Sequence, residues 1–189
     1  MQCDFFLSYC QRSPLSTRVA IELYSVLTMM GYVVWLDVKM SDKSEAAMHE
    51  GVLASRIFIA IICGPVVNPE RPEEPEEGNA YLQRPYCIKE LTWAREAEVP
   101  LSLVIHASEK GSISSIVASA PEPLKFIGDI DFVDISVHDV ELLNIGVRKL
   151  LRRTTFKGDE AGLEAIMAAG RKVHKNQIPA FPPSLALCH

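Results

Sequence analysis

Six consecutive residues, Ile57-Phe58-Ile59-Ala60-Ile61-Ile62, are apolar without exception. Successive side chains of a strand point to opposite faces, so a strand with one wet face alternates apolar and polar residues. A strand apolar on both faces needs cover on both, which is the situation of a central strand in a parallel sheet. A membrane helix is excluded, because even the wider run Ile57–Val67 is about half of the ~20 residues required. This segment therefore predicts a sheet sandwiched between two layers of helix.

The remaining periodicities supply that sheet and those helices. Phe5-Phe6-Leu7 reads as a first strand. A helix then starts at Ser13-Pro14 or Ser16-Thr17, with Val19, Leu23, Val26, Leu27 and Met30 on one face, and Gly31 ends it. Tyr32–Leu36 is the second strand. A helix over Glu45–Ser55 follows, with Met48 and Val52 turned inward, and leads into the apolar strand. A further helix is expected over Pro85–Val99, then strands at Leu101–Ile105 and Phe132–Ile135. The last helix would carry Val140, Leu143, Val147, Leu150 and Leu151 on its apolar face. Strands alternating with helices predict a flavodoxin-like, doubly wound α/β fold: a five-stranded parallel sheet of order 2-1-3-4-5 with helices on both faces.

The 189 residues are 48% hydrophobic, enough for one domain with a substantial core. We assign that domain to residues 1–155 and a basic extension to 156–189, with one more helix over 160–173 before an irregular end. Residues 68–79, with three prolines and five glutamates, predict an exposed acidic loop. Residues 1–150 hold 13 Lys/Arg against 21 Asp/Glu, a net −8 that disfavours nucleic acid as a partner. The start of the chain lacks a basic, secretory pattern, and five cysteines without C-x-x-C spacing read as reduced thiols; both point to a cytoplasmic protein with no membrane partner.

In an open α/β sheet the ligand crevice lies beyond the carboxyl ends of the strands, where strand order reverses. For this order the candidate loops follow strands one and three, with the loop after strand two beside them. Glu90 falls near the start of the following helix, at the edge of its Cys87–Leu91–Ala94 stripe. It serves either as a first-turn carboxylate complementing the helix dipole or as a functional group in the crevice. Other chemistries lack their residues. There is no acidic pair after strand one, no hydroxyl-rich phosphate loop, no G-x-G-x-x-G, G-x-x-x-x-G-K-[ST] or G-x-S-x-G, and no histidine spacing suited to a metal.

Four segments in this order resemble the Toll/interleukin receptor (TIR) domain family. They are Asp4-Phe5-Phe6-Leu7-Ser8-Tyr9, Gly31–Asp37, Met48–Val52 with Ser55-Arg56, and Tyr86-Cys87-Ile88-Lys89-Glu90-Leu91, the last similar to the family's Trp-Cys-x-x-Glu-Leu signature. The loop Lys39–Ser44 departs from the family pattern in lacking its glycine, and Tyr86 stands where a tryptophan is usual.

The resemblance implies an NAD-cleaving enzyme, a glycohydrolase or cyclase that breaks the nicotinamide–ribose bond, with Glu90 as its catalytic carboxylate. NAD is then the substrate, and neither cofactor nor metal is implied. Ser8, Tyr9, Gln11, Arg12, Asp37, Met40, Ser41 and Tyr86 would hold the dinucleotide, Arg12 offering its guanidinium to the pyrophosphate. The family also implies self-association through TIR–TIR contacts in immune or cell-death signalling. Its non-catalytic branch implies the alternative, an adaptor that binds other TIR domains.

Overall fold

The computed structural model describes residues 2–42, 44–65 and 80–154. The expected acidic loop at 68–79 and the extension from 156 onward lie outside the described residues. Five strands form one sheet: β1 (Cys3–Tyr9), β2 (Val34–Trp35), β3 (Ser55–Ile62), β4 (Leu101–His106) and β5 (Phe132–Ile135). All neighbours are parallel and the order is β2-β1-β3-β4-β5, as the sequence pattern predicts. The helices are α1 (Pro14–Met29), α2 (Glu45–Leu53), α3 (Pro85–Glu96), α4 (Ile113–Ala118) and α5 (Val140–Arg152).

The apolar run that suggested this architecture divides its side chains as required. Ile57, Ile59 and Ile61 join a core with Val19, Leu23 and Leu27 of α1 and Val147 and Leu150 of α5. Phe58, Ala60 and Ile62 join a second core with Val52 of α2, Leu91 and Ala94 of α3, and Ile116 of α4. The same alternation acts on β1: Phe5 and Leu7 face the first core, while Phe6 faces the second. Ser8, two residues after Phe6, is thereby turned toward the layer that holds α3.

Three helix starts are written in short polar side chains. The Ser13 hydroxyl accepts from Ser16 N at 3.2 Å, with Pro14 opening α1. Ser44 caps α2 through Ala47 N at 3.2 Å, and Asp139 caps α5 through the amides of Glu141 and Leu142. Helix α3 begins at Pro85 with no side-chain cap. Gly31 follows α1 at φ 91°, the left-handed conformation that turns the chain into β2.

Several details differ from the sequence reading. The second strand shrinks to two residues, because the chain turns into a 3-10 helix at Asp37–Lys39 directly after Leu36. Val140 is 55% exposed rather than inward, since it opens α5 before the helix reaches the sheet. Between β4 and β5 lie two 3-10 helices, Ala107–Ser112 and Glu122–Asp129, flanking α4. That stretch is rich in Ser, Ala and Pro, and its apolar residues at helical spacing, Ile113, Ile116, Val117 and Ala120, cover only the short α4 and its end.

Candidate functional site

Strands β2 and β3 flank β1 on opposite sides, so the chain leaves the carboxyl end of β1 where the sheet's order reverses. A crevice of about 290 Å³ opens there, lined by Tyr9, Gln11, Asp37, Met48, Arg84, Tyr86, Cys87 and Glu90. It lies at the small end of ligand-sized cavities, room for one ring and its sugar rather than for a whole dinucleotide.

Glu90 forms the buried wall, only 7% exposed. It is the sixth residue of α3 and thus sits in its second turn, so the first-turn dipole reading of this carboxylate does not hold. Its partner is the Ser8 hydroxyl, which donates to Oε2 at 2.6 Å. The same Ser8 oxygen lies 2.6 Å from the hydroxyl of Tyr81, a fully buried residue. With Ser8 donating to the carboxylate, Tyr81 donates to Ser8, and the three groups form one buried chain. Burial pushes the Glu90 carboxyl up from its ordinary value of 4.5 to about 7; the Ser8 bond pulls it down and the charge of Asp37 pushes it further up.

Across the crevice, Asp37 gathers the polar groups. Gln11 Nε2 donates to its Oδ2, and Val38 N donates to its Oδ1 at 2.6 Å. Tyr9 is raised well above the ordinary tyrosine range by burial first, then by the neighbouring Asp37 carboxylate and a hydrogen bond to it. Tyr86 stands at the mouth, 47% exposed, with the Lys89 ammonium 5.4 Å from its ring centre. Lys89 is itself held by Glu45 of α2 at 2.8 Å. Cys87 packs behind the floor, its Sγ 3.4 Å from the Tyr9 carbonyl oxygen.

Of the residues singled out from sequence, Tyr9, Gln11, Asp37, Tyr86 and Glu90 meet in this crevice, and Ser8 lies behind it in contact with Glu90. Arg12, Met40 and Ser41 do not line it; Arg12 and Ser41 are exposed, and Met40 is half-buried. Sequence reasoning had not placed Met48, Arg84 or Cys87 in the site. Met48 and Cys87 carry the signal of core residues, and Arg84 is distinguished only by preceding the proline that opens α3. Among the described residues, Cys3, Cys10, Cys63 and Cys87 are in no disulfide, and no group of three or more His, Cys, Asp or Glu could hold a metal ion. No described helix is long and apolar enough to cross a membrane.

No family model matches the chain, and no curated protein matches it. Among solved structures, it is similar to the TIR domains of the activated Roq1 resistosome directly recognizing the pathogen effector XopQ. The TM-score is 0.43 at 15% identity, over 94% of this chain and 100% of that one.

Proposed function

We propose that this chain is a TIR-type enzyme that cleaves the nicotinamide–ribose bond of NAD, releasing nicotinamide and ADP-ribose or its cyclised form, and that self-association activates it. The observation that carries this reading is Glu90: a buried carboxylate in the crevice at the sheet's reversal point, on a segment resembling the Trp-Cys-x-x-Glu-Leu signature. In hydrolysis the bond between the ribose C1′ and the pyridinium nitrogen breaks. Its electron pair goes to the ring, which leaves neutral. Water adds to C1′ and gives up a proton.

Positive charge develops on the sugar as the bond lengthens, and an ionised Glu90 stabilises that charge more in the transition state than in the ground state. Ser8 holds the carboxylate in place through its 2.6 Å bond. Asp37, fixed by Gln11 and the Val38 amide, offers an acceptor to ribose hydroxyls. Tyr86 at the mouth offers a ring face against which the nicotinamide can stack.

The test is incubation of the protein with NAD at rising protein concentration, with products separated by chromatography. Nicotinamide release is expected, lost in Glu90→Gln, which keeps the shape and the contact to Ser8. The co-product distinguishes hydrolysis from cyclisation. Release that persists unchanged in Glu90→Gln removes Glu90 from the chemistry. No release from the wild-type chain at any concentration leaves the adaptor role, in which such a fold binds other TIR domains.

A further inference from the structure

The proposed reaction gives no task to the one cationic residue in the crevice lining. Arg84 occupies the N-cap position of α3, half-buried, in the same crevice as Glu90 and Asp37. Among the described residues its guanidinium has no hydrogen-bond or ion-pair partner. It contributes to the crevice wall together with Tyr86, Cys87 and Glu90 of α3. Lys89, the neighbouring cation on α3, is already committed to Glu45. Arg84 is thus the sole cation among the residues that line the crevice, beside two carboxylates.

The backbone adds to this. Pro85 has no N–H, and Ile88 N bonds the Arg84 carbonyl at 3.0 Å, so the amides of Tyr86 and Cys87 are the first-turn donors left over beside the guanidinium. Two carboxylates favour a cationic pyridinium ring and repel a phosphate, so a substrate carrying both groups needs an opposite charge at one end. Arg84 precedes Glu90 by six positions, about 9 Å along the helix axis, a span that accommodates a ribose and its 5′-phosphate.

We propose that Arg84, with the open first turn of α3, binds the 5′-phosphate of the ribose being cleaved and so selects nucleotides over nucleosides. The planar guanidinium fork meets two phosphate oxygens at once, and the helix start contributes its partial positive charge. This assigns to Arg84 the anion contact that the sequence suggested for Arg12. It rests on the NAD-cleaving reading and adds a substrate requirement to it.

The experiment compares NAD, nicotinamide mononucleotide and nicotinamide riboside as substrates for wild type, Arg84→Ala and Arg84→Lys, with far-ultraviolet circular dichroism to confirm folding. Arg84→Ala should raise KM for the two phosphorylated substrates about tenfold or more while kcat changes little, and Arg84→Lys should fall between, as expected when a bidentate charge contact is lost from binding. The riboside, which has no phosphate, should be cleaved equally by all three. An unchanged KM for NAD in Arg84→Ala, or an equal loss on the riboside, overturns the proposal.

Calorimetric titration with ADP-ribose separates it from the reading beneath it. Wild-type binding that Arg84→Ala loses, without any nicotinamide release, upholds Arg84 as the phosphate contact and sinks the cleavage reading. Equal binding by both proteins sinks the Arg84 assignment, and so does absence of binding to either.

Discussion

Glu90 carries opposing demands. Its ionised form is the one the proposed chemistry uses, yet burial holds its pKa at about 7 against an ordinary 4.5. A carboxyl raised in this way contributes stability that is fully present below about pH 4.5 and lost as pH rises through about 7. The difference corresponds to about 3 kcal/mol. Glu90→Gln should therefore match wild type in thermal stability at pH 4.5 and exceed it by several degrees at pH 8; equal melting temperatures at both pH values would contradict the burial argument. Activity should run the other way, with kcat/KM rising through a midpoint near pH 7. Ser8→Ala removes the donor that favours the ionised form, so the midpoint of that profile should move to higher pH. At this scale the sequence disclosed the carboxylate but not its setting. Spacing along α3 put Glu90 at the rim of a buried stripe, where truncation to alanine would leave the fold nearly intact. The Ser8–Tyr81 chain that buries it joins residues 73 positions apart and leaves no local pattern. Arg84 was missed for a similar reason: an arginine before a proline looks like any loop residue until the crevice forms around it.

Elements were more legible than contacts, because their signals are local. The doubly apolar β3 and the one-sided faces of α1 and α5 are periodic, and Ser13, Ser44 and Asp139 cap their helices where short polar residues precede apolar ones. The edge strand β2 and the α4 region were not legible. In the first, a run of five strand-forming residues is cut short by the 3-10 turn at Asp37; in the second, Ile113, Ile116, Val117 and Ala120 keep helical spacing, but only over a six-residue helix set among serines, too short to stand out. How closely elements approach is equally invisible to periodicity. A Cβ added at Gly146 of α5 would stand 2.5 Å from Ile135 Cδ1 and 2.9 Å from the Asp134 carbonyl oxygen of β5. Gly146→Ala should thus destabilise the protein: forcing α5 off the sheet costs about 1–3 kcal/mol and outweighs the roughly 1 kcal/mol that alanine gains in a helix. A lowered denaturant midpoint is the expected readout, and an unchanged or raised one would mean that α5 yields freely.

For the whole molecule, charge and the sheet edges govern how one copy can meet another. The full chain carries a net −5, so two copies repel at low ionic strength and less so at about 0.15 M salt, where the screening length falls to about 8 Å. If activity depends on self-association, nicotinamide release per protomer should rise with protein concentration and with moderate salt, in step with the sedimentation coefficient. A rate per protomer independent of both would mean that each copy works alone. The two-residue β2 has a further consequence. Sheets propagate from one molecule to the next through long, open edge strands, the route taken in fibrils and in strand exchange. Here one edge offers only Val34 and Trp35, and the other, β5, has its Asp134 engaged by Lys110 and Lys149. Among the described residues neither edge presents the long open strand through which sheets fuse, so copies brought together at high concentration would have to meet through surfaces other than their sheets.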